Sequence, residues 1–198
     1  MMRWTAVGFV ALVLALGSGG PAGAVNLVAN GGFETGDFTG WTTTNAASGS
    51  DYVVLPFGPH SGTYAAFFGA RFSDMDSISQ TLTTIPGGSY TIDYWLRDNG
   101  GGGPSRFLVQ WGATTLSDIV NSAFFGYTEY SFTETAAGAS TVLRFSGYKV
   151  NFSSVLDDVS VELVSAPVPE PASLTLLGLG LVGLVGYQWR RRQRTPTK

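Results

Sequence analysis

The chain has 198 residues, with 14 acidic and 11 basic side chains, a formal charge of −3 and no cysteine. This length leaves room for one domain plus targeting segments, and the lack of thiols excludes disulfides, cysteine nucleophiles and zinc–thiolate sites. Residues 25–166 hold 13 acidic and 5 basic residues, a net charge of −8. Such an acidic domain argues against nucleic acid as a partner, because nucleic-acid binders present a basic surface.

The first 24 residues have the three parts of a secretory signal peptide. Arg3 gives a charged start, an apolar run covers residues 6–16, and residues 22–24 (Ala-Gly-Ala) form a small-residue cleavage site. The alternative is a transmembrane helix, but this apolar run is too short to cross about 30 Å of hydrocarbon. We therefore predict a signal peptide over residues 1–24.

In the middle of the chain, apolar residues recur with a period of two, which is typical of strands. The clearest example is residues 90–97, where Tyr90, Ile92, Tyr94 and Leu96 alternate with Thr91, Asp93, Trp95 and Arg97. Short runs of this kind are separated by glycine- and asparagine-containing turns, and no helical period precedes residue 172. The pattern predicts an all-β domain over residues 25–166, built as an antiparallel β-sandwich.

The C-terminal region begins with an uncharged, Gly/Leu-rich run over residues 172–189. As a helix this run would be about 27 Å long, enough for a thin bilayer. Four arginines follow within residues 190–194, and basic residues beside a span stay cytoplasmic. We predict a transmembrane helix at about 172–189 and a cytoplasmic tail over residues 190–198, with the domain on the opposite side of the membrane.

Pro169, Glu170 and Pro171 stand immediately before this run. Their order with the apolar run and the arginines resembles the PEP-CTERM sorting signal, here residues 167–198. The resemblance implies a Gram-negative bacterium that exports the protein and an exosortase that cuts near the triplet. It also implies a transient membrane anchor, followed by a place on the cell surface or in an extracellular polysaccharide matrix.

The two ends of the domain also carry a resemblance. The domain opens with residues 26–34 (NLVANGGFE) and closes with residues 155–161 (VLDDVSV). This pairing resembles the jelly-roll sandwiches of the galactose-binding-like class, including the carbohydrate-binding modules attached to xylanases and glucanases. The resemblance implies a jelly-roll fold and a non-catalytic protein that binds polysaccharide.

Asp157 has the same strand parity as Val159 and Val161, so regular pleating would turn it inward, where a carboxylate needs a partner. In the resembling modules, a structural calcium ion sits where the first and last strands meet. The resemblance implies Glu34, Asp157 or Asp158, and the main-chain oxygen of Thr63 as ligands. The alternative is that Asp157 or Asp158 accepts backbone N–H bonds in a turn, and the sequence leaves both open.

A sugar site needs flat aromatic surfaces flanked by polar groups. Asp93, Trp95 and Arg97 share the face of their strand opposite the apolar residues, and we predict that Arg106, Gln110 and Tyr127 join them from neighbouring strands to form a glycan-binding face. The alternative is that Trp95 packs under a loop.

Catalysis has little support in the sequence. His60 is the only histidine, and no nucleophile motif surrounds it. We predict a protein that is not an enzyme. A glycan-cleaving enzyme with two carboxylates, or a scaffold protein without a sugar site, are the alternatives.

Overall fold

The computed structural model describes residues 25–47, 49–69, 74–100, 103–167 and 172–192. It contains ten strands and one helix in this part of the chain. In chain order they are β1 (Thr42–Thr44), β2 (Tyr52–Leu55), β3 (Ala65–Phe68), β4 (Asp76–Thr83), β5 (Ser89–Asp98), β6 (Ser105–Trp111), β7 (Thr114–Val120), β8 (Phe125–Thr135), β9 (Ser140–Lys149), β10 (Ser154–Ser165) and α1 (Ala172–Arg192).

The strands form two five-stranded sheets. Sheet A has the order β1-β4-β9-β6-β7 and sheet B has the order β2-β3-β10-β5-β8. Every pairing is antiparallel, and the chain crosses between the sheets several times. The predicted all-β antiparallel sandwich is confirmed.

The core lies between the sheets and is filled by alternate residues of the long strands. In β5, Tyr90, Ile92, Tyr94 and Leu96 are all buried, as the period of two predicts. Sheet A contributes side chains such as Phe107, Val109, Trp111, Leu143 and Phe145 to the same cluster. Burial of this apolar surface, at roughly 25 cal/mol per Å², is the main force that holds the two sheets together.

The start of the domain runs beside its last strand. The Leu27 amide donates to the Val161 carbonyl at 2.8 Å, and the Val159 amide donates to the Gly31 carbonyl at 3.0 Å. The first and last segments of the domain therefore lie side by side, as the sequence predicts.

A β-bulge interrupts β10 where it pairs with β5. Asp157 lies opposite Trp95 and Ser160 lies opposite Asp93, and the backbone of Asp158 has a φ of 47°. The bulge reverses the expected parity, because Val159 faces the core while Asp157 points to the outer face of sheet B. Asp157 is still 0% exposed. The prediction of burial is right, but the reason is a covering loop rather than regular pleating.

Helix α1 begins at Ala172, the residue where the sequence predicts a helix, and extends three residues beyond the predicted end. Within the described residues, none of the helices combines the length and apolar character needed to cross a membrane. The predicted span at 172–189 is thus not shown by the structure. The predicted signal peptide and the residues Pro169, Glu170 and Pro171 lie outside the described residues.

Candidate functional site

The three acids predicted from the domain ends come together around Gly32. A Cβ atom placed on Gly32 would lie 3.4 Å from Asp158 Oδ1, 3.8 Å from Glu34 Cγ and 3.9 Å from Asp157 Oδ1. The N-terminal segment positions Glu34, and the bulge of β10 aims Asp157 and Asp158 at the same place. The sequence therefore predicts correctly which acids are neighbours.

The loop that joins β2 to β3, residues 56–64, lies against these acids, and we call it the cover loop. The His60 and Ser61 amides donate to Asp157 Oδ2 at 2.7 and 3.3 Å. The Thr63 and Tyr64 amides donate to Glu34 Oε1 at 2.9 and 3.0 Å. The cover loop thus uses its main-chain N–H groups to bind carboxylates of both chain ends.

These contacts bear on the predicted calcium site. Asp157 accepts backbone N–H bonds, as the alternative to calcium requires, and Thr63 is held through its amide rather than its carbonyl. Within the described parts of the chain, no group of three or more His, Cys, Asp or Glu side chains is arranged to hold a metal ion. Calcium ligation by Glu34, Asp157, Asp158 and Thr63 stays a prediction.

Asp157 has an unusually high pKa for a carboxyl group, and burial is the main cause. Burial and, to a smaller extent, the negative charge of Asp158 raise the pKa of Asp157, hydrogen bonds from the Asp158, His60 and Ser61 amides oppose the shift, and the resulting pKa is about 6. In the part of the chain that the structure describes, the basic side chain at ion-pair distance from Asp158 is His60, whose Nδ1 lies 2.7 Å from Asp158 Oδ2. Neighbouring carboxylates without a lysine or arginine beside them are a set of oxygen donors that suits a hard cation such as calcium.

His60, Ser61 and Asp158 resemble the residue types of a hydrolase triad, but their contacts do not. The Ser61 hydroxyl donates to Asp158 Oδ1 at 2.7 Å, so its proton is not directed at the imidazole. The imidazole is stacked on Trp95. A triad needs the serine hydroxyl to donate to the histidine, so these three residues are not placed as one.

The predicted glycan face around Trp95 is covered. The His60 ring stacks on Trp95 with 3.8 Å between ring centroids and 12° between planes. The Tyr127 hydroxyl donates to the Gly58 carbonyl at 3.2 Å, and Arg97 lies over the Tyr127 ring at 5.1 Å. Burial accordingly raises the pKa of Tyr127 to about 12. Asp93, Trp95, Arg97 and Tyr127 do share the outer face of sheet B, but Trp95 packs under a loop, as the alternative interpretation states.

The placement of Arg106 and Gln110 beside Trp95 is wrong. Both lie on β6, which belongs to sheet A, whereas β5 carries Trp95 in sheet B. The neighbours of β5 are β10 and β8. Consecutive strands β5 and β6 belong to different sheets of this jelly roll, so residues that are close in the sequence are not neighbours in space here.

Arg106 and Gln110 instead contribute to an open surface, which we call the sheet A surface: Arg106, Leu108, Gln110, Arg144 and Tyr148. Gln110 lies opposite Arg144, and Arg106 lies opposite Tyr148, across the pairing of β6 with β9. Arg144 is exposed and the other four are partly exposed. Arg106 is held by Asp118 through two bonds of 2.7 and 2.8 Å.

Three polar side chains of the sheet A surface remain available for a ligand. Among the described residues, Gln110, Arg144 and Tyr148 make no side-chain hydrogen bond with the protein, whereas Tyr127 on sheet B is tied to the cover loop. An amide, a guanidinium and a phenol beside a partly exposed leucine offer both hydrogen bonds and apolar contact. This combination matches the polar edges and apolar faces of pyranose rings.

The sequence analysis misses a buried ion pair at the end of β5 and β9. Lys149 Nζ lies 2.8 Å from both carboxylate oxygens of Asp98, and each residue is 1% exposed. Asp98 also accepts bonds from the Ser122 hydroxyl and from the Gly100 amide. The two partners are 51 residues apart, and only the alternation of β9 hints that Lys149 is buried.

An open cavity of about 390 Å³ lies at one end of the sandwich. The loop before β10 supplies Asn151 and Phe152, the loop before β2 supplies Asp51, and the residue after β3 is Gly69. Phe152 is 44% exposed. The cavity is separate from the sheet A surface, and Phe152 is therefore a useful reference position for binding experiments.

Both the C-terminal region and the sandwich domain are similar to known proteins. Residues 167–192 match the PEP-CTERM protein-sorting motif. A 96-residue stretch, 47% of the chain, is 31% identical to endo-1,4-beta-xylanase A of Thermoanaerobacterium saccharolyticum. That stretch covers only 8% of the xylanase.

Solved structures share the fold of the sandwich. TmCBM61 in complex with β-1,4-galactotriose superposes with a TM-score of 0.57 at 18% identity, covering 69% of this chain and 97% of that one. The CBM22-1 xylan-binding domain of Paenibacillus barcinonensis Xyn10C gives 0.53 at 15% identity, covering 75% and 100%. The family 16 carbohydrate-binding module-2 gives 0.51 at 18% identity, covering 69% and 99%.

The sandwich therefore has the jelly-roll fold of carbohydrate-binding modules. Behind it, the chain carries a PEP-CTERM sorting motif, the signal of proteins that Gram-negative bacteria export.

Proposed function

We propose that this is an exported, non-catalytic surface or matrix protein that binds polysaccharide. Its PEP-CTERM motif supports recognition by an exosortase, a transient anchor in the membrane and release to the cell surface or matrix. Its fold, shared with carbohydrate-binding modules, supports a glycan as the ligand. The open sheet A surface is the single observation that carries the choice of binding site.

The sheet A surface is favoured over the Trp95 face for a physical reason. A sugar can stack on Trp95 only if the His60 ring leaves, which breaks the bond of that ring to Asp158, and a movement of the whole cover loop would also break the bond of the His60 amide to the buried Asp157. Leaving buried acceptors without donors costs about 1–3 kcal/mol each. The sheet A surface needs no such rearrangement, because its polar groups already face solvent.

Gln110→Ala and Tyr148→Ala are each expected to weaken polysaccharide binding about tenfold, which corresponds to about 1.4 kcal/mol. Each change removes a hydrogen-bonding or stacking group from the centre of the surface without touching the core. The measurement is affinity electrophoresis or calorimetry with xylan, β-1,4-galactan and the polysaccharide of the producing bacterium.

Asp93→Ala on sheet B and Phe152→Ala at the end cavity are the matched controls, and both are expected to bind like the unchanged protein. Loss of binding only in Asp93→Ala, or only in Phe152→Ala, would move the site to that region. Release of reducing ends from any of the polymers would favour a glycan-cleaving enzyme. Binding to no polymer, together with self-association or capture of a protein partner, would favour a scaffold.

We also propose that a calcium ion binds beside Gly32 and stabilises the contact between the two chain ends. Glu34, Asp157 and Asp158 would supply carboxylate oxygens, with a main-chain oxygen from the cover loop near Thr63. Their convergence around Gly32 and the raised pKa of Asp157 support this proposal. The ion would neutralise buried negative charge and would take no part in sugar chemistry.

At pH 7, about 1 mM calcium is expected to stabilise the fold by roughly 0.4–1.4 kcal/mol if its Kd is about 0.1–1 mM. Without calcium, stability should fall as pH rises from about 4 through 6, because the fold favours the protonated form of Asp157, whose pKa is raised from 3.8 to about 6. Thermal melts with calcium, with chelator and across pH test both effects. Asp157→Asn should abolish the pH effect and weaken the calcium effect, whereas a melting temperature indifferent to calcium and chelator would refute the ion.

A further inference from the structure

The charge of the domain is divided unequally between its two sheets. The strands of sheet B carry seven acidic residues and one basic residue, whereas the strands of sheet A carry two acidic and three basic residues. The acidic residues of sheet B are Asp93, Asp98, Glu129, Glu134, Asp157, Asp158 and Glu162. A domain that is strongly acidic as a whole therefore has one sheet that is slightly basic.

Within sheet A, one cation has no partner. Asp118 neutralises Arg106 and Asp98 neutralises Lys149. Arg144 is exposed and has no carboxylate within ion-pair distance among the described residues. Arg144 is thus the one strand cation of sheet A whose charge is available to a ligand.

The surroundings of Arg144 are polar and uncharged. It lies on β9 between Gln110 of β6 and Ser79 of β4, which are its direct neighbours across the two pairings. Leu143 and Phe145 on either side are buried in the core, so the backbone that carries Arg144 is held firmly. A guanidinium on a firmly held backbone, flanked by an amide and a hydroxyl, suits a planar carboxylate, which it can bind through two parallel hydrogen bonds.

We propose that the sheet A surface binds a polysaccharide containing uronic acids, with Arg144 binding the sugar carboxylate and Gln110 and Ser79 binding neighbouring hydroxyls. This inference rests on the proposed function and narrows its ligand class from polysaccharide to acidic polysaccharide. The acidic residues of sheet B do not prevent binding, because charges more than about 8 Å away are largely screened at physiological ionic strength.

The test uses polygalacturonate, alginate and glucuronoxylan, each before and after chemical reduction of its carboxyl groups to alcohols. The unchanged protein is expected to bind at least one acidic polymer about tenfold more tightly than its reduced form. Arg144→Gln should remove this preference, so that the acidic polymer and its reduced form bind with similar affinity. Arg144→Lys should restore only part of the preference, because an ammonium keeps the charge but lacks the planar pair of donors.

Thr128→Asp is the matched control for net charge, since it makes the domain more acidic by one unit at an exposed position of β8 in sheet B. It should keep the preference for the acidic polymer. Equal binding of acidic and reduced forms, or a preference that survives Arg144→Gln, would overturn the uronate inference. In that case the proposed polysaccharide binding would still be tested by Gln110→Ala and Tyr148→Ala. Only if these two variants also bound like the unchanged protein would the proposed function be refuted together with the uronate inference.

Discussion

Lys149→Met is expected to destabilise the domain by about 3–5 kcal/mol, because it leaves the buried Asp98 carboxylate without its cation. Both side chains are 1% exposed, so water does not solvate the remaining charge. The pair connects the ends of β5 and β9, which belong to different sheets. Urea unfolding at pH 7 measures the loss.

The double variant Asp98→Asn with Lys149→Met provides the control. It removes both charges together, while the asparagine still has an oxygen for the Gly100 amide or the Ser122 hydroxyl. We expect it to recover at least half of the loss of Lys149→Met, since an uncharged pair needs no ionic partner. A loss below about 1 kcal/mol in Lys149→Met would place the pair among the weak surface ion pairs.

Gly31→Ala is expected to destabilise the domain by about 3 kcal/mol or more, at or above the upper end of ordinary overpacking. A Cβ at this position would lie 2.0 Å from the Val159 carbonyl oxygen. That oxygen is main chain and cannot rotate away, so the N-terminal segment must move from β10. The bond from the Val159 amide to the Gly31 carbonyl, and the approach of Glu34 to Asp157 and Asp158, would be lost with it.

Gly126→Ala is the matched control for this change. A Cβ at Gly126 would meet nothing within 4 Å, so its effect on urea unfolding should stay within about 0.5 kcal/mol. If Gly31→Ala unfolds at the same urea concentration as Gly126→Ala, the N-terminal segment is not a structural part of the sandwich. Calcium titration of Gly31→Ala adds a second readout, because the proposed ion needs the two chain ends in contact.

Local patterns in the sequence predict the strands and the core well. The alternation in residues 90–97 places Tyr94 in the core and Trp95 on the outer face, as observed. The motifs at the two ends of the domain predict that Glu34, Asp157 and Asp158 are neighbours. Both predictions succeed because they depend on side-chain period or on a resemblance that spans the whole domain.

Features that depend on pairing between distant segments could not be predicted. The bulge at Asp158 reverses the parity of β10, and the Asp157-Asp158 pair does not by itself distinguish a bulge from a regular strand. The cover loop carries His60 onto Trp95 only because β2 and β3 lie beside β10 in sheet B. For the same reason, the sequence does not show that Arg106 and Gln110 lie in sheet A, or that Arg144 lies beside Gln110.

The position of β10 determines how the domain would bear mechanical load. β10 lies in the middle of sheet B, with β3 on one side and β5 on the other. If the chain is held on the C-terminal side of Ser165 while a polymer pulls on the sheet A surface, the bonds on both sides of β10 are sheared together. A pull on Val25 would instead peel the short N-terminal segment from β10 one bond at a time, beginning with the Leu27–Val161 bond. The sandwich is therefore expected to resist force far better through its C-terminal end than through its N-terminal end.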